Sequence, residues 1–187
     1  IKIVRGSIAS KTNGIYTVAG SFKSWGTNFS GDTTDVFLGT PTDTIEISSP
    51  QSEGAAKFLD DSGAAGSAWA VTVVSGRFAL DGLGGDNIYM RFRKNGPLSL
   101  IGNDFASGTY NANARWSFIS SNTGCTVNSF GNVFPNEVPF ASGSSQSIYS
   151  LGDKAIDSGS NVVELKQDGT WNGGNIRFPA TQVPSTN

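Results

Sequence analysis

The chain has 187 residues, with 13 Lys plus Arg, 15 Asp plus Glu and a net charge of −2. That size is one ordinary domain or two small ones, and the charge excludes strong non-specific nucleic-acid binding, which needs a large positive excess. Charged residues are only 15% and Gly reaches 24, so the surface is built from small uncharged polar groups rather than ion pairs. No His is present, which removes Ser-His-Asp and Cys-His nucleophiles and His-ligated zinc. The single Cys125 permits no disulfide within the chain and reads as a small buried hydrophobe. No apolar run reaches the ~18 residues of a membrane helix, and no signal peptide opens the chain. Its first residue is Ile1 rather than Met, which reads as a fragment or a processed product.

In chain order, strand signals dominate. Ile1–Val4 alternates and continues to Ile8, and Ile15–Ala19 follows, with Asn13-Gly14 between them as a hairpin cue. Asp35–Leu38 and Thr44–Ile47 form a second pair around Gly39-Thr40-Pro41. The stretch Pro50–Ala65 is the only candidate short helix. Ala68–Val74 is a strong strand, and Arg77–Leu80 follows the tight turn Ser75-Gly76. Ile88–Ile101 has the clearest hairpin pattern, turning at Lys94-Asn95-Gly96-Pro97. Arg115–Ile119, Cys125–Val127, Ser147–Leu151 and Val162–Lys166 complete the set. Short strands spaced by turn chemistry predict an all-β fold, with a β-sandwich or jelly-roll body over 1–125. A Gly/Ser-rich linking region and an extended C-terminal strand segment occupy 126–187. No repeat of 20–50 residues stands out. The tail cannot bury Ile176, Phe178 and Val183 alone, so these become candidate subunit-interface residues.

Candidate chemistry is sparse. Asp81-Gly82-Leu83-Gly84-Gly85-Asp86-Asn87 has the residue types of a calcium loop, but the plainer reading is a glycine-rich turn. No metal or other cofactor is assigned. Paired carboxylates could serve glycan hydrolysis without His. Asp60 and Asp61 are adjacent and would face opposite ways on a strand, and Asp32, Asp35 and Asp43 are close in sequence. Arg91, Arg93 and Lys94 form the one basic cluster, suited to contact with an acidic glycan or another subunit, or to guarding an exposed strand face. Trp25 and Tyr110 sit in polar, loop-like settings; the plainer reading is that they pack on the body, the functional one that they stack on sugar rings, with Tyr149 and Trp171 as further candidates. Trp69 and Trp116 lie in apolar-patterned strands and read as core. The ligand-binding set for a glycan is therefore Trp25, Tyr110, Arg91 and Arg93, and no catalytic residue is assigned. Asn28-Phe29-Ser30 matches a glycosylation sequon, a pattern common by chance.

The C-terminal run Gly173-Gly174-Asn175-Ile176-Arg177-Phe178-Pro179-Ala180-Thr181-Gln182-Val183-Pro184-Ser185 resembles a linker segment of bacteriophage tail fibre and tail spike proteins. The preceding Val162-to-Gly169 stretch resembles their short strand-turn units. The resemblance covers about residues 162–187 and brings no catalytic or binding residue with it. It implies an extracellular, virion-surface structural protein that acts as a homotrimer beside other virion proteins. A tail fibre or spike component binding host-surface polysaccharide is the favoured form, with neither nucleic acid nor membrane as partner. The alternatives are a capsid head-fibre or decoration protein, a glycan-depolymerising spike, and a bacterial extracellular filament subunit donating its Ile1–Ile8 strand.

Overall fold

The computed structural model describes residues 1–9, 12–17, 20–39, 44–61, 70–80, 88–92, 96–105, 117–121, 125–135, 141–142, 147–156, 162–165 and 170–172. The described residues are all-β, and no helix occurs among them. They wind as a β-solenoid-like coil with three faces.

Face A stacks β1 (Lys2–Ala9), β3 (Phe22–Ser30), β5 (Thr44–Ser48), β8 (Ala70–Val74), β11 (Gly96–Ile101), β13 (Cys125–Phe130) and β16 (Ser147–Leu151). Face B stacks β2 (Asn13–Thr17), β4 (Thr34–Leu38), β7 (Lys57–Asp61), β10 (Ile88–Phe92), β12 (Ser117–Ser121) and β15 (Ala141–Ser142). On face C the second half of β3 pairs with β6 (Gln51–Glu53), and β6 with β9 (Arg77–Ala79). Single bridges through Asp104 carry that face on to β14 (Val133–Pro135) and then β17 (Asp153–Ile156). Every pairing between successive coils is parallel. Two antiparallel strands close the far end: β18 (Val162–Leu165) on β17 and β19 (Thr170–Asn172) on β16.

The expected sandwich or jelly-roll body thus gives way to stacked coils. β1, β4, β5, β8, β9, β10, β11, β13, β16 and β18 fall where the sequence pattern places strands, but β3 runs through the Trp25 stretch that reads as a loop, and the partners differ from those expected. β4 and β5 lie on different faces, and so do β10 and β11, although both pairs read as hairpins. Asn13-Gly14 lies inside β2, which pairs in parallel with β4. Pro50–Ala65 contains β6 and β7 instead of a helix. A hairpin cue specifies only a local reversal. Here the strands flanking each such cue lie on different faces, and each pairs with a strand of a neighbouring coil.

Alternation still governs each strand, since side chains of a strand point to opposite faces in turn. On face A the inward rows are Phe22, Ile45, Val71, Leu98 and Val127, and Ser24, Ile47, Val73, Leu100 and Ser129, all buried. Down the coil interior runs an aromatic stack of Phe29, Phe58, Phe78, Phe105 and Phe134, each fully buried. Ring centroids are 4.7 Å apart for Phe78–Phe105 and 5.2 Å for Phe105–Phe134, both near parallel. In one coil the stack position on face C is Ser52, and Phe58 reaches in from face B to meet Phe78 edge-on at 4.5 Å.

The corner between faces A and C repeats in every coil. Arg5, Gly26, Ser49, Ser75, Gly102, Gly131 and Gly152 all have positive φ, from 49° to 68°, and stand one above another in register. They recur every 21–29 residues, so a repeat exists after all. It is a repeat of backbone conformation, and its occupants (Arg, Gly, Ser) share no side-chain chemistry.

Immediately after this corner, Gly76, Asn103, Asn132 and Asp153 form a buried ladder. Asn103 Oδ1 accepts from Gly76 N at 2.8 Å, Asn132 Oδ1 from Asn103 N at 2.9 Å, and Asp153 Oδ1 from Asn132 N at 2.7 Å. The Asn103 and Asn132 amides donate to the carbonyls of Val73 and Leu100 at 3.0 and 2.9 Å. Backbone groups that turn away from the sheets are thereby paired, as buried polar groups require. Replacing Asn132→Ala strands Asn103 N–H and the Leu100 carbonyl in the interior. We expect it to lower unfolding free energy by about 2–4 kcal/mol, read by urea denaturation.

Candidate functional site on the outer faces of the coil

Because the coils are in register, the outward residues of face A also form columns. One column carries Lys2, Lys23, Glu46, Thr72, Ser99, Asn128 and Tyr149. The next, beside the left-handed corner, carries Val4, Trp25, Ser48, Val74, Ile101, Phe130 and Leu151. Five of the large apolar residues exposed on the described surface belong to this second column.

Trp25 is its most exposed member, at 62%. It borders a shallow depression of about 160 Å³ shared with Lys2, Lys23, Glu46 and Ser48. Lys23 Nζ and Glu46 Oε2 are 2.7 Å apart across adjacent strands. Such an exposed ion pair adds little stability, but it fixes one cation and one carboxylate beside the indole face. The site therefore offers an aromatic platform, both charge signs and a hydroxyl within one open dish.

Arg91 lies elsewhere, on face B, so Trp25 and Arg91 do not share a site. Its guanidinium Nη1 meets Asp60 Oδ1 at 3.3 Å, and Lys57 Nζ meets Asp60 Oδ2 at 3.0 Å. Asp61 N donates to Asp60 Oδ1 at 2.8 Å. Asp60 and Lys57 are buried, so Arg91 is engaged in a cluster that holds β7 and β10 together. On the same face Tyr16 stacks on Phe37 at 5.2 Å, leaving Tyr16 exposed. Tyr110, Arg93, Ile176, Phe178 and Val183 lie outside the described residues, as do Asp81–Asn87, Trp69 and Trp116. Among the described residues no group of three or more His, Cys, Asp or Glu is placed to hold a metal ion.

Asp32 and Asp35 are both buried. Ser52 Oγ donates to Asp35 Oδ2, while Asp35 Oδ1 has no hydrogen-bond partner. Burial pushes the Asp35 carboxyl well above its ordinary range, with the nearby Asp32 charge adding and the Ser52 hydrogen bond opposing. Gly14 sits directly over the pair: a Cβ there would come within 2.6 Å of Asp32 Oδ2 and 2.8 Å of the Asp35 carbonyl. This carboxyl is fully buried.

The apolar column was not anticipated from the sequence. Its signal was present, since Ile101, Phe130 and Leu151 each stand immediately before a left-handed glycine. No family model matches this chain, and no curated protein or solved structure does either.

A carboxyl whose folded pKa is raised binds its proton more tightly when folded. Its stabilising contribution is complete below the ordinary Asp value of about 3.9 and is lost as pH rises through the raised folded value. Asp35→Asn keeps the shape without the charge. Urea denaturation should show the variant and the parent chain nearly equal near pH 4. The variant should gain about 1–3 kcal/mol over the parent at pH 8; a difference independent of pH would refute the assignment.

Proposed function

We propose that this chain is a structural protein of a bacteriophage virion exterior, a tail-fibre or spike component that holds host-surface polysaccharide on face A. The observation that carries this reading is Trp25, an indole 62% exposed on a rigid sheet, flanked by Lys2, Lys23, Glu46 and Ser48. The apolar face of a sugar ring stacks on the indole, and its hydroxyls meet the neighbouring charges and hydroxyl. Lys2 and Lys23 favour a glycan that also carries acidic groups.

Binding without cleavage is the preferred form. The carboxylates Asp32, Asp35, Asp60 and Asp61 are all buried, which suits structural roles. A single shallow site binds weakly. Several copies in a homotrimer, repeated over a particle with other virion proteins, would multiply that affinity through effective concentration. The C-terminal resemblance to tail fibre and spike linkers supports the same location, on the virion surface and outside the cell.

Trp25→Ala should weaken retention on immobilised host-surface polysaccharide about tenfold, equivalent to ~1.4 kcal/mol, without altering the melting profile. Immunogold labelling of source particles should mark tail fibres or tips. Label over the head would replace this reading with a head-fibre or decoration role, and release of reducing ends from the polysaccharide would replace binding with hydrolysis.

A further inference from the structure

The two ends of the coil are finished differently. At the far end the antiparallel strands β18 and β19 cover the edges of β17 and β16. At the near end, among the described residues, β1 pairs only with β3 and β2 only with β4. Each of these strands therefore turns one row of backbone N–H and C=O groups outward along the coil axis. Inward rows of all three faces also stop here. Ile3 heads the Ser24 row of face A, Ile8 the Phe29 row of face C and Ile15 the Val36 row of face B, and all three are only partly buried. With Ile1, Tyr16 and Phe22 they line an open cavity of about 390 Å³. The Tyr16 ring lies within 8° of parallel to Phe37 of the next coil, so its free face also looks toward this end.

We infer that this end of the coil docks an extended, acidic segment of another protein, which adds a strand outside the first coil. The inference is independent of the glycan reading above. The occupant is a polypeptide because the end presents main-chain groups to be paired. An added strand meets such a row with N–H and C=O groups at the matching spacing, as β18 and β19 do at the far end. A lipid or small apolar molecule fills the cavity but pairs neither row. Register fixes the side-chain pattern. Residues falling over Ile3, Ile8 or Ile15 are apolar, because they continue the interior of the coil. Charge fixes the rest. Lys2 and Arg5 stand exposed on β1, and neither β1 nor β2 carries an acid. Charge on an edge strand discourages indiscriminate pairing, and here both guards have one sign, so an acidic strand is admitted and a basic one refused. The same two cations disfavour a second copy joined end to end about a two-fold axis, where each β1 would meet its own charges. Trp25 lies one coil further in, beside Val4, and stays uncovered.

Fluorescence anisotropy with two dye-labelled peptides tests this on the full chain. Each peptide has the 8-residue length of β1; one alternates glutamate with valine, the other lysine with valine. The acidic peptide should bind with Kd of about 1–100 μM, and the basic one about tenfold or more weakly. Ile8→Glu puts a charge in the cavity and should weaken binding of the acidic peptide about tenfold. The double change Lys2→Glu, Arg5→Glu alters only exposed side chains and should reverse the preference toward the basic peptide, which decides the matter even if Ile8→Glu fails to fold. Trp25→Ala should leave peptide binding unchanged. No binding of the acidic peptide up to roughly 1 mM overturns the inference, as does equal binding of both peptides or a preference that the double change leaves in place. Loss of binding in Trp25→Ala would move the peptide to the Trp25 dish and overturn it too. Displacement of the peptide by dodecanoate would give the cavity to an apolar ligand, and self-association that Ile8→Glu abolishes would give it to a second copy; either result overturns the acidic strand.

Discussion

The left-handed residue at each turn from face A to face C is the constraint on which the rest of the structure depends. A bend at one fixed position per coil brings each strand back over its predecessor in unchanged register. Hydrogen bonds continue through the bend itself: Ser49 N donates to the Val74 carbonyl, Ser75 N to Ile101, Gly102 N to Phe130 and Gly131 N to Leu151. Positive φ is unfavourable for residues with a Cβ, and Arg5, Ser49 and Ser75 adopt it nonetheless. The surrounding parallel ladders compel it, because any other conformation at those points would break pairing on two faces at once.

Register then decides everything that side chains do. Inward, it aligns Phe78, Phe105 and Phe134 into a continuous stack and sets Asn103, Asn132 and Asp153 to bond the backbone of the neighbouring coil. Outward, it sorts residues far apart in sequence into columns. Trp25 and Phe130 share a column because both precede a left-handed corner, not because of any local similarity. The same mechanism produces two surfaces on one sheet. Charged residues gather around Trp25, and an uncharged apolar strip occupies the later coils.

Buried polarity marks two different solutions to one problem. Asp60 is met by Lys57, Arg91 and a backbone N–H. Asp35 has one serine hydroxyl and a like-charged neighbour, so its neutral form is favoured. Ser52 takes the stack position that other coils give to phenylalanine, and the carboxyl it accompanies belongs to this irregular coil.

How much was legible beforehand follows from the range of each interaction. Alternation is local, so Ile45 and Ile47, Val71 and Val73, and Leu98 and Leu100 announced their strands and their buried faces. The shortage of helix formers and the frequent turns established an all-β chain, but the polar neighbours of Trp25 read as a loop and its ring as packed, whereas Trp25 stands exposed within β3. Pairing direction is not local. Lys94-Asn95-Gly96-Pro97 carries hairpin chemistry whether β11 returns to β10 or moves on to β8 and β13, and only the stacking of complete coils decides between them. The repeat escaped notice because a backbone angle, not a residue type, recurs. By itself, then, the sequence determined an all-β chain and the alternating faces of strands such as β5, β8 and β11, since alternation depends on neighbours two residues apart, but not the strands β3, β6 and β7. Only the tertiary structure decided the parallel winding, the separation of Trp25 from Arg91 and the assembly of the Val74-to-Leu151 strip, since those depend on contacts between residues more than twenty positions apart.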